Sequence, residues 1–207
     1  MTQRVKIHGG PGCGKTYTLT QFYQKYIIEG YTPDDITVLT FRRNAADDLI
    51  DATLPHAKVD VKELKKHVGT IHSICWRLLG YPAQIGKDDL EEFVRMNGYE
   101  NFIKSRFEKT KGDSEESVYS GDIFDMYAWL RNTCTPFDKW KLYPGSCNIK
   151  LPAARVLEFF KQYDAYKTER GKIDFSDMLQ RVIDQGIKLD TTVLMVDEFQ
   201  DLTAQMY

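Results

Sequence analysis

The sequence predicts an α/β fold in which a parallel β-sheet is flanked by helices and interrupted by a helical insertion. Three observations predict it. A glycine-rich turn near the start of the chain joins an apolar segment to an amphipathic helix. Further apolar segments alternate with helical patterns, which is typical of a parallel sheet. The last apolar segment, VLMV, ends in two adjacent acids, Asp197 and Glu198.

The composition is that of an ordinary globular protein. Of the 207 residues, 42% are hydrophobic and 28% are charged, and the net charge is −2 at pH 7. This balance argues against a nucleic-acid-binding surface that covers the whole protein, so any such surface is local. No segment reaches the roughly 18 apolar residues of a membrane span, and the four cysteines lack zinc-site spacing. We therefore expect a cytoplasmic protein with reduced cysteines and no membrane contact.

The turn GGPGCGKT predicts a phosphate-binding loop. It follows Val5 and Ile7, for which we expect a short strand, and it precedes a helix whose apolar residues recur at helical spacing from Leu19. Glycines allow the backbone to fold closely around a phosphate and to direct N–H groups towards it. Lys15 would supply charge to the β- and γ-phosphates, and Thr16 would coordinate Mg²⁺. The residues expected around the nucleotide are Gly9, Gly10, Pro11, Gly12, Cys13, Gly14, Lys15, Thr16 and Tyr17.

The acids that end the last apolar segment predict the other half of a nucleotide site. Residues 193–196 suit a central strand that is buried on both faces. Ligands of such sheets bind beyond the carboxyl ends of the strands. Asp197 would hold Mg²⁺ through a water molecule, Glu198 would orient or deprotonate the attacking water, and Gln200 would sense the γ-phosphate. Together with the loop, these residues predict a protein that binds a nucleoside triphosphate.

Two further predicted strands end in residues that suit nucleic acid. We expect these strands from Ile36 to Phe41 and from Val68 to His72, each followed by a helix. Hydroxyls and arginines bind phosphate, and an exposed aromatic ring stacks on a base. The candidate residues are Thr40, Phe41, Arg43, Asn44, Thr70, His72 and Ser73. A core position for Phe41 and a structural role for His72 are the alternatives.

The ordered set GGPGCGKT, LTFRRNAADDL, GTIHSICWRLL, KIDFSDML and VLMVDEFQDLTAQMY resembles the N-terminal half of UvrD/Rep/PcrA-type superfamily 1 DNA helicases. The resemblance covers nearly the whole chain and is most specific in VDEFQD. It implies a RecA-like P-loop NTPase domain that uses ATP and Mg²⁺ and moves along single-stranded DNA from 3′ to 5′. The residues that it implies in DNA contact are Phe41, Arg43, Asn44, Thr70 and His72.

The same resemblance implies a division into domains. We expect a RecA-like ATP-binding domain formed by residues 1–80 and 153–207, and an inserted helical subdomain formed by residues 81–152. In the insertion the sheet pattern disappears, and short amphipathic helices are predicted around Phe93, around Phe102 and Phe107, and around Phe124. The resemblance also implies a second, C-terminal RecA-like motor domain that carries arginine fingers. We expect that missing domain to be a partner, and these 207 residues to be the first half of a longer motor.

Two departures from the family pattern and two alternative functions stay open. Asn44 stands where a lysine is common in the family. In the family, a glutamine-containing segment that recognises adenine lies well upstream of the phosphate loop, whereas here only three residues precede Arg4. The preference for adenine therefore stays unassigned. A nucleoside or nucleotide kinase and a catalytically silent, nucleotide-gated binding module are the alternatives. A kinase usually places its key acids in the middle of the chain, whereas Asp197 and Glu198 lie near the end of this one.

Overall fold

The computed structural model describes residues 5, 7, 12–57, 59–100, 103, 123–199 and 202–206. These residues form an α/β fold in which a small parallel sheet is flanked by helices, which confirms the predicted fold class. The chain divides into two compact units. The first unit comprises Met1–Gly80 and Val182–Leu202, and the second unit comprises Tyr81–Arg181 and Thr203–Tyr207.

The first unit contains the sheet. Its elements among the described residues are α1 (Lys15–Ile28), a 3₁₀ helix (Pro33–Asp35), β1 (Ile36–Thr40), α2 (Arg43–Ala57), α3 (Val61–His67), β2 (Val68–Thr70), α4 (Ile71–Leu78) and β3 (Val193–Val196). The strand order is β2-β1-β3, and both strand pairs are parallel. The helix that follows the glycine-rich turn and the three strands β1, β2 and β3 are therefore present where the sequence predicts them.

Apolar packing holds α1 against the sheet. Val38 of β1 is paired with Val68 on one side and with Met195 on the other. All three are buried in one core together with Leu19 and Tyr23 of α1. Burial of apolar surface stabilises a fold by about 25 cal/mol per Å², so this cluster fixes the helix relative to the strands.

Thr191 determines where β3 enters the sheet. Its hydroxyl accepts a hydrogen bond from the Thr37 amide at 3.1 Å and donates to the Asp35 carbonyl at 3.0 Å. The neighbouring Thr192 amide donates to the same carbonyl at 2.9 Å. Because a slip of one residue turns every side chain of a strand to the opposite face, these bonds also determine which residues of the acidic segment face inwards.

The structure describes two residues of the strand predicted before the glycine-rich turn, and neither of them lies in a strand. Val5 and Ile7 lie outside any strand and are 61% and 39% exposed. In the sequence they alternate with polar residues, whereas β3 is continuously apolar. Among the described strands, however, β3 lies at the edge of the sheet and its Leu194 is 52% exposed, so the predicted central strand buried on both faces is wrong. The rest of the strand predicted before the glycine-rich turn lies outside the described residues.

The second unit is helical. Its described elements are α5 (Lys87–Met96), α6 (Ile123–Asn132), two 3₁₀ helices (Phe137–Leu142 and Ser146–Asn148), α7 (Ala153–Glu169) and α8 (Phe175–Asp184), which crosses the unit boundary. The helices predicted around Phe93 and Phe124 are therefore present as α5 and α6. The pattern around Phe102 and Phe107 lies outside the described residues. Among the helices that the structure describes, none has the length and apolar character to cross a membrane.

The unit boundaries differ from the predicted domain division in two places. The first boundary agrees, but the structure groups residues 153–181 and 203–207 with the helical unit. For residues 153–181, the reason is the aromatic face of α7. Phe159 lies 5.3 Å from Phe93 and 5.0 Å from Phe124 between ring centroids, and Tyr163 belongs to the same core. The assignment of the two units to a RecA-like domain and a subdomain stays a prediction.

A buried lysine joins α6, α7 and α8. Lys167 is 3% exposed, and its Nζ lies 2.7 Å from both Asp174 Oδ2 and Asp177 Oδ2 and 2.9 Å from Tyr127 Oη. Arg131 adds a second cation, 3.2 Å from Asp177. Burial, together with nearby carboxylates, raises the pKa of Tyr127 well above its usual value, so its hydroxyl stays protonated. The buried charges are tolerated because each has an opposite partner.

We expect Lys167→Met to lower the free energy of unfolding by about 3–5 kcal/mol, because the half-buried Asp174 would lose its cation and Asp177 would keep only Arg131. Urea unfolding followed by far-ultraviolet circular dichroism measures this loss. Lys161→Met is the matched control, since Lys161 lies on the same helix and is exposed. If Lys167→Met unfolded at the same urea concentration as the wild-type protein, the proposed role of the buried lysine would be wrong.

Candidate nucleotide and metal site

The end of the glycine-rich turn leads directly into α1. Gly12 and Gly14 have φ angles of 73° and 81°, in the left-handed region that favours glycine. Gly14 is the N-cap residue of α1, which has no side-chain cap and no acid in its first turn. By contrast, the Asp60 side chain caps α3. The first N–H groups of α1 are therefore not used by a capping side chain and suit a bound anion. Residues 9–11 lie outside the described residues.

Thr16 and Asp197 join the two halves of the predicted site. Thr16 Oγ1 donates a hydrogen bond to Asp197 Oδ2 at 3.2 Å, although the two residues are 181 positions apart. The Asp197 amide donates to the Leu39 carbonyl at 2.8 Å, which continues the β1–β3 ladder past the end of β3. Asp197 is 5% exposed. The sheet thus fixes the carboxylate, and the first turn of α1 fixes the hydroxyl.

The two oxygens fit a magnesium ion. Mg²⁺ prefers hard oxygen ligands in an octahedron with metal–oxygen distances of about 2.0–2.1 Å, so neighbouring ligands lie about 3 Å apart. The distance of 3.2 Å between Thr16 Oγ1 and Asp197 Oδ2 is close to that value. The residues that the sequence assigns to the metal are therefore suitable in type and in position. Their role as metal ligands stays a prediction.

Glu198 follows Asp197 in a strained conformation. Its φ angle is 49°, in the left-handed region, which costs a residue with a Cβ atom about 1–2 kcal/mol. The Glu198 amide donates to Asp197 Oδ1 at 3.1 Å, and this bond holds the turn. Strain of this kind clusters at functional sites. Gln200, the remaining predicted catalytic residue of this segment, lies outside the described residues.

The other described residues of the loop differ in exposure. Lys15 and Thr16 are half-buried, whereas Cys13 and Tyr17 are exposed. Tyr17 is 69% exposed. Lys15 therefore lies between the interior and the solvent, which suits a side chain that meets a charged phosphate.

The predicted nucleic-acid-binding residues at the end of β1 differ in how exposed they are to solvent. Phe41 is 40% exposed, and Arg43 and Asn44 are also exposed. All three are accessible to a strand of nucleic acid, and the alternative of a core position for Phe41 does not hold. Thr40 is only 1% exposed. At that exposure, Thr40 is in the interior and cannot touch a strand of DNA at the surface.

At the end of β2 the predicted residues form a helix cap. Thr70 is the N-cap residue of α4: its hydroxyl accepts from the Ser73 amide at 3.2 Å, and Ser73 Oγ donates to the Thr70 carbonyl at 2.8 Å. Threonine before a helix is a capping signal that the sequence carries. His72 is half-buried, and burial lowers its pKa, so the imidazole is neutral at pH 7. A neutral imidazole can form hydrogen bonds with nucleic acid but adds no charge.

Comparison with known proteins identifies the family. The family model of the UvrD/REP helicase N-terminal domain matches residues 1–207. The chain belongs to this family. This UvrD/REP helicase N-terminal domain is also similar to the probable DNA helicase II homolog of Mycoplasma pneumoniae (strain ATCC 29342 / M129 / Subtype 1), with 26% identity over 234 residues. The match covers 97% of the chain and 30% of that relative. The resemblance that the motifs indicate is therefore confirmed, and the chain spans less than a third of its relative's length.

We expect Gly14→Ala to lower the free energy of unfolding by about 1–2 kcal/mol, because a Cβ atom is strained in the left-handed region. Nothing lies within 4 Å of the Cβ position among the described atoms, so backbone conformation and not collision is the cause. Gly86→Ala is the matched control, since Gly86 is the N-cap residue of α5 with a φ angle of −101°. Urea unfolding compares the two variants. Equal losses of stability would contradict the left-handed geometry of the loop.

Proposed function

We propose that this chain is the N-terminal ATP-binding portion of an ATP-dependent DNA helicase, which moves along single-stranded DNA from 3′ to 5′ when complete. The hydrogen bond between Thr16 and Asp197 is the observation that carries the proposal, since it joins the phosphate loop to the acidic strand. Membership of the UvrD/REP family and similarity to a probable DNA helicase support the same function. Neither supports the alternative of a nucleoside kinase.

Each residue of the nucleotide site has one role in this proposal. The backbone N–H groups of residues 12–14 and of the first turn of α1 bind the phosphates of ATP. Lys15 places a positive charge against the β- and γ-phosphates, and Thr16 and Asp197 hold the metal ion through oxygen atoms. When bound, Mg²⁺ neutralises the charge that develops on the phosphates during transfer. Glu198 orients the attacking water or accepts its proton.

Single-stranded DNA is the proposed polynucleotide partner, bound at the exposed residues that follow β1. The ring of Phe41 offers a surface for base stacking, which is worth about 1–3 kcal/mol per base. The guanidinium of Arg43 offers a bidentate contact with phosphate, and Asn44 adds an uncharged donor. Arg43 is the one charged side chain of these three, and the chain as a whole carries a net charge of −2. We therefore expect weak binding that falls as the salt concentration rises.

The complete motor requires a second RecA-like domain in this proposal. Arginines supplied from outside a phosphoryl-transfer site raise its rate by about 10³–10⁵, and the C-terminal motor domain would supply them. Residues 1–207 alone would then bind ATP and DNA in the cytoplasm but hydrolyse ATP slowly. Binding is therefore the property that tests the proposal on this chain.

We expect Lys15→Ala to weaken the binding of a fluorescent ATP analogue in the presence of Mg²⁺ by about ten-fold or more, since hydrogen bonds to charged groups are worth about 1.5–3 kcal/mol. Fluorescence titration of the 207-residue chain measures the dissociation constant. Lys25→Ala is the matched control, because Lys25 lies on the same helix with a side chain that is 61% exposed. Equal affinity of both variants, or no binding by the wild-type chain, would overturn the nucleotide site.

We expect Phe41→Ala to weaken the binding of labelled oligothymidine by about ten-fold, because a lost stack costs about 1–3 kcal/mol. Fluorescence anisotropy at low salt measures the affinity. Val61→Ala is the matched control, since Val61 is 39% exposed, much like Phe41 at 40%, and lies on α3. If the two variants bound the oligonucleotide equally well, the DNA contact would not lie at Phe41.

A further inference from the structure

Thr40 carries a buried hydroxyl group without a partner. Its side chain is 1% exposed, and Oγ1 has no hydrogen-bond partner among the described residues. Thr53 shows the usual arrangement: it is buried to the same extent, and its hydroxyl donates to the Leu49 carbonyl at 2.7 Å. Leaving a buried hydroxyl unpaired is unfavourable, and a valine of the same shape would avoid that cost. Packing alone therefore does not explain the hydroxyl of Thr40.

The register of the sheet places Thr40 between Thr70 and Asp197. Thr40 is paired with Thr70 of β2. On the other side, Leu39 is paired with Val196 and its carbonyl accepts from the Asp197 amide, so Asp197 lies opposite Thr40. Opposite residues of paired strands project to the same face of a sheet. Thr70, Thr40 and Asp197 therefore form a polar row across one face, at the carboxyl edge.

The same row includes the proposed metal ligand. Both oxygens of Asp197 already accept hydrogen bonds, one from Thr16 Oγ1 and one from the Glu198 amide. Mg²⁺ loses its waters reluctantly and usually keeps several of them in a protein site. Those waters donate hydrogen bonds, and a threonine hydroxyl has two acceptor lone pairs. Thr40 lies next to Asp197 and is shielded from solvent, so its hydroxyl suits such a water.

We propose that Thr40 is a positioning residue of the nucleotide site, whose hydroxyl accepts a hydrogen bond from a water of the magnesium ion held at Thr16 and Asp197. This inference rests on the proposed function. It moves Thr40 from the group of DNA contacts, where the sequence placed it, to the nucleotide side of the sheet. Phe41, the next residue, remains a proposed DNA contact.

Thr40→Val tests the inference, because valine keeps the shape of threonine and removes the hydroxyl. We expect its midpoint of thermal unfolding to be equal to that of the wild-type chain or higher, since an unpaired buried hydroxyl is removed. We expect its affinity for a fluorescent ATP analogue to fall about ten-fold in Mg²⁺ and to remain unchanged in EDTA. Thr40→Ser keeps the hydroxyl and should restore the affinity in Mg²⁺.

Thr53→Val is the matched control. It removes a hydroxyl that has a partner, so it should lower the midpoint of thermal unfolding and leave the affinity unchanged. The inference is wrong if Thr40→Val binds the analogue as the wild-type chain does in Mg²⁺, or loses the same affinity in EDTA. A lowered midpoint for Thr40→Val would also overturn it, because the hydroxyl would then have a structural partner.

Lys15→Ala, titrated in parallel, separates this inference from the proposed function. If the wild-type chain and Lys15→Ala bind the analogue alike, the proposed nucleotide site fails and the role of Thr40 fails with it. If Lys15→Ala loses affinity and Thr40→Val does not, the nucleotide site stands and only the role of Thr40 is wrong.

Discussion

The hydrogen bond from Thr16 to Asp197 depends on the register between β1 and β3. That register is held by the pairing of Val38 with Met195 in the core and by the bonds of Thr191 at the entry to β3. If β3 slipped by one residue, Asp197 would turn to the opposite face and Thr16 would lose its partner. The candidate site therefore depends on packing several residues away from it. A core substitution that loosens β3 would damage the site without touching any residue in it.

The two units are stabilised in different ways. The first unit buries mainly aliphatic side chains between its helices and its sheet, whereas the second buries a cluster of aromatic rings and the charged group around Lys167. In the second unit, Asp174 and Asp177 bind Lys167 and also accept hydrogen bonds from each other's amides at the start of α8. These two acids belong to KIDFSDML, one of the segments that carries the family resemblance. In this chain, that segment therefore has a structural role, because its two acids bind Lys167 and hold the start of α8.

Local patterns in the sequence were enough to predict α1, β1 and β3, because helical periodicity and continuous apolar segments are properties of neighbouring residues. They also predict α7 as a helix with one aromatic face, because Val156, Phe159, Phe160, Tyr163 and Tyr166 recur at helical spacing. Periodicity does not say which partner covers that face, and the structure packs it against Phe93 and Phe124. The burial of Lys167 was hidden for a related reason. A lysine in a helix is usually solvated. Asp164 is a local partner three residues earlier on α7, but Asp174 and Asp177 reach Lys167 only because the chain folds back after the helix.

In the candidate site, too, local sequence does not predict the surroundings of single residues. The sequence places Thr40 and Phe41 together at the end of one strand, and residue type favours nucleic acid for both. The structure separates them: Thr40, the last residue of β1, is 1% exposed, whereas Phe41, just beyond the strand, is 40% exposed. In the proposed function, one residue then belongs to the nucleotide site and the next to the DNA site. One peptide bond joins them, so in this proposal the two sites share one stretch of backbone at the end of β1. A ligand at one site changes the affinity of the other site only if it favours one arrangement of a shared element over another. A bound metal ion would therefore alter DNA binding only if it moved the end of β1.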